Sequence, residues 1–265
     1  MYNVGGEHVE GFTCFFYFII CSAFYLITPN PEVLIFFFNL ILSIISILLI
    51  QYTIHLISKK LAFSKKLRIC LQIGFLAWLI SNPLYFGWNV ISLMDTGLYS
   101  FILISIFCYF IQLLFDSDIS KEKKAILLSL LLITLILTRP EAIIWGIAFI
   151  TLFAFIIHLQ TRNFNKTIKL IIQPIIGYTV SFIIRTIFRL IYFKYPFPNT
   201  FYAKVSASFE QTISDGFNYF ENFIKQYGVV LVIFLALSTT FILIEYIKNN
   251  TSITFLLGFI IILIT

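Results

Sequence analysis

The chain has 265 residues, of which 60% are hydrophobic and only 11% charged, and its mean hydropathy is +0.99. A soluble domain is about half apolar and about a quarter charged, so the charge needed to solvate a folded surface is missing. The net charge of +6 does not point to nucleic acid, because the cations sit in short clusters between apolar runs.

The elements follow in chain order. Residues 1–11 are polar, contain Glu7, His8 and Glu10, and read as a loop. They lack the basic start of a signal peptide. Residues 12–28 are apolar, aromatic and closed by Pro29-Asn30-Pro31, which predicts a helix lying along the membrane surface without crossing it. Apolar runs near twenty residues can cross a bilayer, and in lipid they must be helices to satisfy their own backbone. Such runs occupy residues 32–57, 69–80, 96–115, 125–138, 142–159, 170–193 and 227–247, with an unfinished run at 253–265. They do not alternate apolar with polar residues, which excludes a membrane β-barrel. The expected fold is therefore all-α, a polytopic transmembrane bundle of about eight apolar helical segments plus one interfacial helix. It forms one transmembrane domain over 1–265: an outer loop and interfacial helix at 1–31, helices at 32–193, an outer loop at 194–226 and helices at 227–265.

Lysine and arginine asymmetry orients the bundle. The basic stretches 58–68, 116–124 and 160–169 are each two spans apart, so they share a side, and that side is expected to be cytoplasmic. Residues 1–11, 84–95, 139–141 and 194–226, all read as loops, then face outward. The four cysteines form no Cys-x-x-Cys pair and read as small buried apolar residues.

The unusual polar residues collect on the outer side in four clusters. In the first, Glu7 and Glu10 are three apart and can share a helical face, as a pair orienting a hydroxyl or as part of a solvated loop. His8 stands alone, so no metal site is drawn from it. In the second, Asp95 opens a span, where a carboxylate caps free amides or orients a substrate. In the third, Arg139-Pro140-Glu141 separates two apolar runs. Arg139 is suited to grip a phosphate with its planar fork, and equally to pair with Glu141 at a helix junction. The fourth runs from Arg185 and Arg189 through Tyr195, Asn199 and Tyr202 to Lys204. Its cations suit phosphate and its aromatic rings suit sugar faces, while an interfacial anchor belt needs the same aromatics.

These motifs, in this order, resemble those of the GT-C class of membrane glycosyltransferases, which use polyprenyl-phosphate sugars. The branch with the mycobacterial terminal arabinofuranosyltransferases is the most similar. It shows Gly-Glu-x-Val-Glu-Gly-aromatic-Thr, as at residues 6–13, and Met-Glu/Asp-Thr opening a span, as at Met94-Asp95-Thr96. It also shows Arg-Pro-Asp/Glu, as at Arg139-Pro140-Glu141, and Tyr-x-x-x-Pro-Asn-Thr-x-x-x-Lys, as at residues 195–204 with the tyrosine slightly shifted. The resemblance implies sugar transfer from a polyprenyl phosphate to a glycan or lipid acceptor, on the outer face of a bacterial inner membrane, with no cofactor and with divalent-metal dependence left open. It implies phosphate contacts by Arg139, Arg185 and Arg189. Glu7, Glu10, Asp95 and Glu141 would contact acceptor or sugar, and Tyr195, Asn199, Tyr202 and Lys204 would line the lipid-sugar entry. Members of the class begin with a further helix and an acidic outer loop that carries the base, and they continue with further spans. The chain is thus expected to be an internal piece of a longer enzyme, with the catalytic base upstream of Met1. A lipid-linked-sugar flippase and a non-catalytic membrane subunit are the alternatives.

Overall fold

The computed structural model describes residues 10, 14–60, 63–80, 83–115, 121–196, 198, 209–223 and 225. The chain divides into two compact units, Met1–Asn199 and Thr200–Thr265. The described residues are all helical in their regular structure, with no strand among them.

The first unit contains α1 (Phe15–Ile27), α2 (Glu32–Lys60), α3 (Lys65–Ile80), α4 (Pro83–Phe86) continued by a π-helical turn (Gly87–Ile91), α5 (Thr96–Phe115), α6 (Lys121–Thr138), α7 (Ala142–Thr161) and α8 (Phe164–Tyr192). Four of these, α2, α5, α7 and α8, are long and apolar enough to cross a membrane, or five if α3 and Pro83–Ile91 form one bent span. The most extensive packing joins α6 to α8 and α2 to α5, followed by α7 to α8 and α5 to α6.

The burial pattern shows what solvent this bundle is built for. Along α2 the buried stripe contains Asn39, Ser43, Ser46 and Thr53, while Phe37, Ile41, Ile44 and Leu48 lie exposed. Along α8 the buried stripe is Thr167, Leu170, Pro174, Ser181, Arg185 and Arg189, and the exposed faces carry Ile172, Ile176, Val180, Ile184 and Ile191. A soluble helix has the reverse arrangement. On α2 and α8, then, small and polar residues lie between helices with large apolar ones outside, the packing mode of helices in lipid. The chain is a multi-pass membrane protein.

Close helix approach depends on missing side chains. A Cβ at Gly146 of α7 would collide with the Tyr178 ring of α8, whose hydroxyl donates to the Ile143 carbonyl at 2.8 Å. Phe149 anchors the α5–α7 contact, with Phe107, Phe110 and Trp145 packed against it.

Helix ends differ from the sequence expectation in three places. The stretch 84–95, expected as a loop, is helical through Ile91. Pro83 opens that helix, where its missing N–H has no partner to lose. The basic stretch 160–169 shrinks to two residues: Arg162 adopts a left-handed conformation (φ 49°) after α7, and the Asn163 side chain accepts from the Lys166 N–H at 3.1 Å to start α8. Basic residues thus extend the helices past their apolar runs. Within 194–226, expected as a loop, the second unit carries an amphipathic helix α9 (Phe209–Phe223), where Ile213, Phe217 and Phe220 recur at helical spacing. The runs at 227–247 and 253–265 lie outside the described residues.

Helix α1 has 13 residues, about 20 Å at 1.5 Å per residue, which is short of the roughly 30 Å hydrocarbon core. Tyr17 and Phe24, two turns apart on α1, reach neighbouring residues of α2: Asn39 bonds the Tyr17 hydroxyl at 3.2 Å and Phe38 meets the Phe24 ring at 5.9 Å. Helix α1 therefore runs across α2 and not alongside it.

Candidate functional site

The up-and-down course of α2 to α8 brings the start of α5, the α6–α7 turn and the end of α8 to one end of the bundle. The α5 side is built first. Leu93 sits at φ 54°, a costly conformation for a bulky residue. Its carbonyl accepts from the Tyr17 hydroxyl at 2.9 Å, and the next carbonyl, of Met94, accepts from Asn39 Nδ2 at 3.3 Å. Ser100 donates to Asn89 Oδ1 at 2.9 Å and Thr96 donates to the Trp88 carbonyl. Gly97 packs so closely that a Cβ would strike the Asn89 carbonyl. The segment before α5 is therefore pinned from α1, α2 and the π turn.

Asp95 occupies the cap position of α5, its carbonyl accepting from the Tyr99 N–H at 3.0 Å. Its carboxylate faces Arg139. Arg139 Nε donates to Oδ2 at 2.8 Å and Nη2 to Oδ1 at 2.9 Å, a bidentate fork between residues 44 apart. The Arg139 guanidinium also lies 5.2 Å from the Tyr99 ring centre. Its pKa is raised, first by the hydrogen bonds it donates to the Asp95 carboxylate. The salt bridge of Arg139 is thus made to Asp95, and neighbouring Glu141 is exposed, without a capping bond from its side chain.

Arg185 and Arg189 share the buried face of α8, as their spacing of four implies. Arg189 donates to Glu10 Oε1 from Nε at 3.0 Å and from Nη2 at 2.8 Å. Glu10 Oε2 is buried without a hydrogen-bond partner among the described residues. Arg185 Nη1 donates to the Ile136 carbonyl of α6. In an α-helix that carbonyl would accept from the N–H four residues later. That residue is Pro140, which has none, so Arg185 fills the vacancy the Arg-Pro-Glu motif creates. The Thr138 hydroxyl satisfies the adjacent Leu135 carbonyl at 2.6 Å.

The two ion pairs belong to one electrostatic cluster. Arg185 is within range of Arg189, Glu10 and Glu141, and Cys14 is within range of Asp95, Arg139 and Arg185. Cys14, at the cap of α1, is buried, and that burial pushes its thiol up to about 12, which makes it inert at neutral pH. Arg139, Arg185 and Arg189 balance Asp95, Glu10 and Glu141 charge for charge.

Of the remaining sequence candidates, Tyr195 is exposed just past Lys194, which has φ 64°. Glu7, Asn199, Tyr202 and Lys204 lie outside the described residues. Sequence reasoning missed Tyr17, Asn39 and Leu93. Asn39 carried a signal: an amide inside a span of Phe, Ile and Leu needs a partner. Among the described residues no group of three His, Cys, Asp or Glu is arranged to hold a metal.

Among the described residues, the groove between α6 and α8 holds two cavities away from this cluster. One of about 520 Å³ lies at the opposite, lysine-rich end of the bundle.

Comparison with protein-family models, with curated proteins and with solved structures finds no match to this chain.

Proposed function

We propose that the chain forms part of a membrane glycosyltransferase that moves a sugar from a polyprenyl phosphate to a cell-envelope acceptor on the outer face of a bacterial inner membrane. The observation that carries this reading is the Arg–carboxylate cluster. Residues from the Met-Asp-Thr, Arg-Pro-Glu and Glu10 motifs, remote in sequence, meet with Arg185 and Arg189 at one end of the bundle. Ionisable groups at membrane depth are costly and point to function.

In the reaction, an acceptor oxygen attacks the anomeric carbon and the bond from that carbon to the phosphate oxygen breaks. The phosphate leaves with the bonding electron pair, and a base takes the hydroxyl proton. Guanidinium groups held by carboxylates are preorganised to stabilise the growing phosphate charge. Asp95 and Glu10 orient Arg139 and Arg189, while Arg185 also closes the end of α6. Glu7 and Glu141 contact the sugar or acceptor. On the resemblance to the GT-C class, Tyr195 belongs to the approach of the lipid.

A second reading rests on the same charges. Each of the three arginines already has an acceptor: Asp95, the Ile136 carbonyl and Glu10. This favours a structural staple, in a flippase or a non-catalytic subunit. Binding of polyprenyl phosphate to purified protein separates the two. The transferase reading expects Arg139→Lys to keep the fold and bind the lipid more weakly, because lysine cannot reproduce the fork. Unchanged binding in the lysine variants of Arg139, Arg185 and Arg189 overturns it.

A further inference from the structure

The groove between α6 and α8 changes character along its length. At the start of α8, the cavity of about 520 Å³ is walled by Lys166, Lys169, Asn163, Gln173 and Glu122. Farther along the same two helices, a cavity of about 260 Å³ is walled by Ile126, Leu130 and Ile176, with Ser129 and Gly177 where the helices close. Gln173 borders both cavities. A Cβ at Gly177 would collide with the Ser129 hydroxyl, which itself bonds the Gln173 carbonyl at 3.2 Å. The groove is therefore shallow and fixed where the two cavities meet.

We propose that this groove holds an anionic phospholipid of the surrounding membrane, its phosphate at Lys166 and Lys169 and one acyl chain along Ile126, Leu130 and Ile176. The two lysines are three residues apart on one face of α8. Against them the wall sets one carboxylate, Glu122, so the polar cavity favours an anion. Asn163, Asn165 and Gln173 supply neutral donors for headgroup oxygens. The apolar cavity follows, with Ile176 about two turns of α8 beyond Lys169. A soluble anion would use the first cavity and leave the second untouched, whereas a phospholipid matches both. The site is at the end of the bundle that carries Lys59, Lys60, Lys65 and Lys66, and basic pockets between membrane helices suit an anionic leaflet. This site lies at the opposite end from the arginine cluster and stands independently of the transferase reading.

The test uses the full chain purified in neutral detergent, with thermal unfolding followed as lipid is added. Phosphatidylglycerol is expected to raise Tm saturably. Phosphatidylcholine with the same acyl chains and glycerol 3-phosphate are each expected to shift it less. The K166Q/K169Q double variant should bind roughly 30-fold more weakly, the loss of two lysines beside an anionic headgroup. Ile176→Trp keeps the charge, fills the apolar cavity and should also weaken binding. Native mass spectrometry of the wild-type chain should find phosphatidylglycerol retained over phosphatidylcholine, a readout that needs no variant. Equal shifts with phosphatidylcholine or with glycerol 3-phosphate overturn the proposal. So does undiminished binding in both variants.

Discussion

Arg189 and Glu10 lie 179 positions apart and meet as a buried ion pair, Nη2 to Oε1 at 2.8 Å, with side-chain exposures of 7% and 3%. Removing one partner leaves the other charged and buried, which costs more than the pair itself contributes. Glu10→Gln should therefore lower stability by about 3–5 kcal/mol, whereas Glu10→Leu combined with Arg189→Met should recover most of that loss. Unfolding in detergent measures both. A double variant as unstable as the sum of its singles would show that the two residues are not coupled.

The partner of Arg139 is a matter of contact and not of sequence proximity. Asp95→Asn should cost about 1.5–3 kcal/mol, the range for a hydrogen bond to a charged group. Glu141→Gln, on an exposed side chain, should stay within about 0.5 kcal/mol of wild type. Equal losses from the two substitutions would place the stabilising pair at Glu141 instead.

Arg185 and Pro140 are linked through one carbonyl. Pro140→Ala restores an N–H that can reach the Ile136 oxygen, so Arg185→Met should cost less in that background than in the wild type. A coupling of about 1 kcal/mol in the double-mutant cycle is expected. Additive losses would mean that Arg185 does not serve that carbonyl.

Burial of Cys14 has a consequence at high pH. Its folded pKa of about 12 lies above the usual 9.0, so the stability contributed by the neutral thiol is complete below pH 9 and is lost as pH rises toward 12. Cys14→Ala should flatten the alkaline fall in Tm between pH 9 and 11. An unchanged slope would contradict the burial.

Orientation is tested by single-cysteine labelling in intact cells, in a cysteine-free background. Ser208→Cys is expected to react with an impermeant reagent and Ser64→Cys to be protected. The opposite pattern would reverse the bundle and turn the arginine cluster toward the cytoplasm.

Much of the fold was legible because membrane helices are written locally. A run such as residues 32–57 must be a helix wherever its neighbours lie, since the bilayer offers its backbone no other partner. Pro83 and Pro140 mark breaks through their own backbone chemistry. Less legible were the helix ends at Lys60, Lys121 and Phe164, because charged residues extend a helix beyond the lipid without altering its apolar run. The amphipathic helix α9 was hidden by a polar composition, although Phe209, Ile213, Phe217 and Phe220 were spaced for it.

The sequence by itself determined that this is a helical membrane protein, that α2, α5, α7 and α8 are long and apolar enough to cross a membrane, and that Arg185 and Arg189 share a face. Each of these depends on composition or on helical periodicity over a few turns. Tertiary structure alone decided that Arg139 pairs with Asp95 and not Glu141, that Glu10 reaches Arg189, and that Tyr17 and Asn39 hold the backbone before Asp95. It alone opened a basic cavity into an apolar one between α6 and α8. Spacing along a chain specifies neighbours on one helix, whereas a partner on another helix is selected by packing, which brings together residues whose separation in sequence carries no signal.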